Sequence, residues 1–257
     1  TSHEIAHTWF QFLMATNESK HSWMDEGFTS YIDDVAMNVI LNEGKDLPNA
    51  KAYKDYFRWV ATGLEEPMTT HADRFKFNSG YGMSAYDKGS IFLSQLQYII
   101  GEENFDNTLK KYFNDWSFRH PKPNDFIRSA EKVSGLELDW YLLDWAQSTM
   151  TIDYSINSVY GIDNKTKIVL KRIGQMGMPI DIRVLLDSGD FLDFNIPMTK
   201  MRGSKPLENS TLLESWSWAK PYYEFWIEVD SNKISKIKID PKNEMADINR
   251  DNNSLDL

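Results

Sequence analysis

Near residue 151 the hydrophobic pattern of this 257-residue chain changes period, and the change divides it into two kinds of structure. Before it, apolar residues recur at helical spacing in Ile32, Val35, Ala36, Val39 and Ile40, again in Ile91, Phe92, Leu96, Ile99 and Ile100, and in Phe105, Leu109, Tyr112 and Phe113. Asn124 reads as the N-cap of a helix closed by Gly135, and residues 138–147 read as another. After it come short alternating or β-branched runs at 152–159, 167–173, 180–186, 191–196, 223–229 and 234–239. Asp163-Asn164, Gly174 and Ser188-Gly189 are among the turn signals between them. The expected fold class is α+β multidomain: a mainly α-helical lobe over 1–150, then a small all-β sandwich over 151–257. Residues 249–257 read as a polar, frayed tail. Trp216-Ser217-Trp218 reads as core or edge packing.

Composition narrows the function classes. A hydrophobic fraction of 41% supplies real cores and excludes a disordered chain. A net charge of -10 argues against nucleic acid as a partner, because phosphate binding wants a basic face. With no cysteine, thiolate metal sites and cysteine nucleophiles are excluded. No apolar run reaches the roughly 18 residues that a membrane-spanning helix needs. The chain begins at Thr1 inside a motif and without methionine, so it reads as a piece of a longer polypeptide whose compartment is undetermined.

That motif is His3-Glu4-Ile5-Ala6-His7. On a helix, positions i and i+4 share a face, so His3 and His7 can bind one zinc ion, and Glu4 can serve as general base towards water. A catalytic zinc needs a third protein ligand. Glu26 is the candidate, with eighteen residues between it and His7, in the first turns of a helix expected over 22–41. His21, His71 and His120 lack such a context and read as structural.

The compound pattern resembles the gluzincin aminopeptidases, the family of aminopeptidase N and leukotriene hydrolase. Trp23-Met24-Asp25-Glu26-Gly27-Phe28-Thr29 is a close variant of that family's Trp-Leu-Asn-Glu-Gly-Phe-Ala, and Trp9-Phe10 matches the aromatic residues after its second histidine. Tyr86-Asp87-Lys88-Gly89 matches its Tyr-x-Lys-Gly motif. The resemblance implies a thermolysin-like catalytic lobe and one Zn2+ per chain held by His3, His7 and Glu26. Glu4 is then the general base and Tyr86 the donor to the reaction's oxyanion. Asp33, seven residues after Glu26, is expected to accept the free ring N–H of a ligand histidine. Peptides are the implied substrates, and the rest of the same protein, N-terminal to this chain, is the implied partner.

The implied activity is aminopeptidase. Three alternatives stand beside it: a thermolysin-like endopeptidase, an epoxide hydrolase as in leukotriene hydrolase, and an inactive fragment or non-catalytic peptide-binding module. The family's amine-reading Gly-x-Met-Glu-Asn motif has no match in the chain. Cleavage at the free amino end therefore rests on likeness alone.

Overall fold

The computed structural model describes residues 1–257 and separates them into two units, Thr1–Thr149 and Met150–Leu257. The first is helical: α1 (Ser2–Ala6), α2 (Phe28–Ile40), α3 (Ala50–Val60), α4 (Asn78–Gly82), α5 (Lys88–Ile100), α6 (Glu102–Trp116), α7 (Pro123–Ser134) and α8 (Asp139–Tyr141). Three π-helical turns join this series: Trp23–Gly27 runs into α2, Met83–Asp87 links α4 to α5, and Leu142–Ala146 follows α8. Such turns add one residue to a helix and re-aim its side chains.

Helix α5 is the axis of this unit, with every residue but Gln97 buried. A helix buried all round must have its polar groups answered from neighbouring elements. Asn49 donates to Ser90 Oγ and Ser94 Oγ at 2.9 and 2.8 Å, and Gln95 donates to the Tyr53 hydroxyl at 2.8 Å. Lys88 pairs with Glu65 at 2.5 Å while its ammonium lies over the Trp145 and Tyr56 rings. Around α5, Trp23, Phe28, Phe92 and Phe126 meet edge to face or tilted, at ring separations of 4.8–6.3 Å. Such pairs add to what their buried area contributes.

Two helical expectations need correction. In α2 the periodic stripe is not the core face: Val39 and Ile40 are exposed, and Phe28, Thr29 and Tyr31 are the buried residues. The amphipathic period was right and the packed face was not: Phe28 packs on Trp23 and Phe126, and the Tyr31 hydroxyl donates to Gln97 of α5. Helix α7 begins at Pro123 rather than after Asn124. Proline at the first helical position loses no helix bond, and the Asp125 carboxylate accepts the Lys122 N–H at 2.8 Å. Gly135 closes α7 in the left-handed region at φ 73°, as its position suggested.

The second unit holds two sheets. Strands β1 (Tyr154–Ile162), β2 (Lys165–Arg172) and β6 (Tyr222–Ile227) form one antiparallel sheet in the order β1-β2-β6. Strands β3 (Ile180–Leu186), β4 (Phe191–Ile196), β5 (Thr211–Leu212), β7 (Ile234–Ile239) and β8 (Ser254–Asp256) form the other, in the order β5-β4-β3-β7-β8, antiparallel except for β4 and β5. Alternation decides the buried side: Thr166, Ile168 and Leu170 on β2, and Ile180, Ile182 and Val184 on β3, all point inward. The Phe194 and Phe225 rings, one from each sheet, lie 5.5 Å apart. Trp216 is buried, its indole N–H donating to Lys220 O, whereas Trp218 is exposed beside Lys200. The tail is not frayed: residues 254–256 pair with β7, Lys236 opposite Asp256. Polar composition hid a strand whose stability comes from edge pairing.

Candidate metal centre

Helix α1 is a short helix held by its neighbours. The Ser2 hydroxyl donates to the Asp33 carboxylate on α2, and Ala6 packs inward. His3 and His7 then leave α1 on one side, their rings perpendicular at 4.9 Å. Glu26 enters from the π-helical turn Trp23–Gly27. Its Oε2 lies 3.1 Å from His3 Nε2 and 3.5 Å from His7 Nε2. The three donor atoms lie within 4.8 Å of one another.

Two imidazole nitrogens and one carboxylate oxygen are a donor set that suits catalytic zinc. A tetrahedral ion with bonds of about 2.0–2.1 Å wants donors roughly 3.3–3.4 Å apart. The two distances to Glu26, 3.1 and 3.5 Å, bracket that value. Two of the three donor separations therefore suit such an ion, and all three donors lie within 4.8 Å of one another.

Three oxygens surround the other nitrogen of His7: Asp25 Oδ1 at 2.8 Å, Phe10 O at 3.3 Å and Thr29 Oγ1 at 3.3 Å. With oxygens on that side, a proton on Nδ1 is the tautomer that leaves the Nε2 lone pair facing Glu26. Asp25 is buried, and burial together with the neighbouring Glu26 charge raises its carboxyl to about 7, opposed by His7. Gln11 donates to Asp25 Oδ2 at 2.9 Å and to Glu18 at 2.7 Å. The motif reading passed over Asp25, Gln11 and Thr29. Asp25 carried a signal, being next to Glu26 at the one position where its motif has an acid in place of the usual Asn. Gln11 and Thr29 carried none.

Tyr86 stands in the second π turn, Met83–Asp87. Its ring stacks on His3 at 5.9 Å, and the Glu26 carboxylate is among the charges that act on its hydroxyl. Burial first, then the Glu26 carboxylate, pushes the phenol above its ordinary range. Glu4 is exposed on the first turn of α1, between the two histidines in sequence. Asp33 does not do what the spacing suggested. It accepts the Ser2 hydroxyl, and the carboxylate beside a histidine ring is Asp25. Seven residues bring Asp33 back to the α2 face that meets the start of α1 rather than to the rings. The other histidines lie outside the centre: His71 caps a short turn by accepting the Asp73 N–H, His120 bonds Ala15 O, and burial lowers the pKa of half-buried His21.

Two histidines from one helix, a carboxylate from a second element and a tyrosine from a third thus converge on one place, with three donors that could hold a metal ion. Residues 1–145 match the Peptidase family M1 domain. The chain belongs to peptidase family M1. It is 29% identical over 161 residues to human aminopeptidase B, a match covering 54% of this chain and 24% of that protein. It is 24% identical over 228 residues to Arabidopsis thaliana aminopeptidase M1, covering 85% of this chain and 24% of the relative. Among solved structures, Legionella pneumophila aminopeptidase A in complex with aspartic acid superposes with a TM-score of 0.61 at 17% identity, covering 95% of this chain and 26% of that one. The chain spans about a quarter of the length of these relatives. No helix is long and apolar enough to cross a membrane.

Proposed function

We propose that this chain carries the zinc site of an aminopeptidase that removes residues from the amino end of peptides, working within a longer polypeptide. The observation that carries the reading is the convergence of His3, His7 and Glu26, with donor atoms within 4.8 Å. The helical unit is then the thermolysin-like half of a catalytic domain, and the β unit is the sandwich that follows it. Family membership and the aminopeptidase relatives support the same reading.

His3, His7 and Glu26 would hold the ion. Bound there, zinc supplies Lewis acidity and a water that ionises near neutral pH. The chain's own residues do the rest. Asp25 and Thr29 keep the His7 ring turned, so its free lone pair stays on the ligand side. Glu4, exposed beside the histidines, takes the proton of the attacking water and passes it to the departing amine. Tyr86 donates its hydroxyl hydrogen to the oxygen on which negative charge develops. A phenol held above its ordinary range keeps that hydrogen at neutral pH. Asp33 holds the start of α1, and with it His3, through Ser2.

The test is zinc content and hydrolysis of aminoacyl reporter substrates, in this chain and in the protein at its natural full length. The full-length protein is expected to bind one zinc and to cleave the reporters. Glu4→Gln is expected to lower kcat at least about 100-fold while zinc remains bound. Cleavage of amino-blocked peptides instead would make the protein an endopeptidase. One bound zinc with no cleavage of either kind would reject the peptidase reading.

A further inference from the structure

The π turn that bears Glu26 crosses the start of α5, just beyond the π turn that bears Tyr86, at a pair of glycines, and neither glycine is explained by its backbone conformation. Gly27 has φ -71°, and Gly89, inside α5, is absent from the positive-φ residues. Any residue could adopt these angles, and alanine would make a better helix. What requires glycine is space. A methyl group on Gly27 would stand 2.5 Å from Gly89 Cα, 2.7 Å from Gly89 C and 2.8 Å from Ala85 O. A methyl group on Gly89 would stand 2.8 Å from Gly27 Cα and 3.0 Å from Trp23 O. The obstructing atoms are backbone, which cannot swing aside as a flexible side chain could. Gly27 directly follows Glu26, Ala85 directly precedes Tyr86, and Gly89 lies three residues beyond it on the same run.

From this geometry we infer that the Gly27–Gly89 crossing is a positioning device, which sets how far the Tyr86 hydroxyl stands from the metal ligands. The inference rests on the role proposed for Tyr86 and adds two residues to it. The His-bearing helix does not take part in the crossing. Prising the Glu26 turn away from the run that carries Tyr86 into α5 would therefore shift Tyr86 against Glu26 while leaving the His3–His7 pair on α1 intact. Hydrogen bonds to a developing charge are lost over fractions of an ångström, so a small separation would lower turnover more than substrate binding. Gly82 is the internal control. It precedes the same π turn at φ -57°, and a methyl group there meets nothing within 4 Å.

The experiment uses the full-length, zinc-loaded protein with Gly27→Ala, Gly89→Ala, Gly82→Ala and Tyr86→Phe, and each of the first two combined with Tyr86→Phe. Gly27→Ala and Gly89→Ala are expected to retain one zinc with unchanged affinity in chelator competition. They are expected to lower kcat about tenfold or more with KM within about twofold, and to weaken calorimetric binding of a peptide phosphonate, a tetrahedral analogue, by a similar factor. In the Tyr86→Phe background the same alanines are expected to change kcat by less than about twofold, because the group they displace is gone. Gly82→Ala is expected to match the unsubstituted protein. Losses that multiply with that of Tyr86→Phe, or alanines without effect on kcat, would overturn the inference and leave the aminopeptidase reading standing. Unfolding or zinc loss in both alanine variants would also overturn it, since the crossing would then serve the fold. A fully active Tyr86→Phe protein would overturn the inference together with the role given to Tyr86.

Discussion

At the scale of single residues, the most informative contact is between Asp25 and His7. A carboxylate beside the non-ligating nitrogen orients the ring and raises its basicity. Asp25→Ala is expected to weaken zinc binding by about 10–100-fold in chelator competition, and Asp25→Asn by less, since an amide oxygen still accepts the ring N–H. Equal zinc affinity in all three proteins would mean that Phe10 O and Thr29 suffice. Lys88 tells a different story. Burial lowers its pKa, and the Glu65 partner opposes that shift. Removing one partner strands a buried charge, so Lys88→Met alone is expected to cost about 3–5 kcal/mol in urea unfolding. The pair Lys88→Met with Glu65→Leu is expected to recover most of that loss, because two apolar groups need no compensation. A double variant as unstable as the single one would show that the ammonium's place over Trp145 and Tyr56 matters more than the ion pair.

Elements differ in how far the residue pattern announced them. Strands β3, β4 and β7 begin and end where the residue pattern placed them, and in β3 and β7 one face is buried, so a slip of one residue would turn it to solvent. Strands β5 and β8 were not foreseen, being two and three residues long with half-buried or exposed side chains. The three π turns were also invisible, since the apolar period continues through them. Helix α7 was bounded well at its end by Gly135. There, Gly135→Ala is expected to destabilise the protein by about 1 kcal/mol, since a Cβ at φ 73° is strained. Thermal unfolding would show it as a small, reproducible fall in Tm, and an unchanged Tm would mean that the helix end rearranges freely.

For the molecule as a whole, acidity and burial combine into a pH dependence. In the β unit, Asp240 and Asp247 are buried, and burial raises each to about 6 against backbone N–H donors that oppose it. Between the unfolded value near 4 and about 6, the folded state holds these protons and the unfolded state does not. Stability therefore falls as pH rises through that window and is flat above it, by on the order of 2 kcal/mol per group. Carboxyl-carbon NMR is expected to show both groups titrating near pH 6. Midpoints below 4 would mean that the backbone donors outweigh burial.

The sequence by itself determined the class of each half and picked out His3, His7, Glu26 and Tyr86, which the structure brings together, because these depend on local period and on short spacings within a motif. It could not say which face of α2 is buried, which carboxylate meets His7, or that two glycines bring Glu26 and Tyr86 together. Those depend on which elements pack against each other. Asp33 and Asp25 lie on either side of Glu26 in one helical run, and only the packing of α1 against that run gave Ser2 to one and His7 to the other.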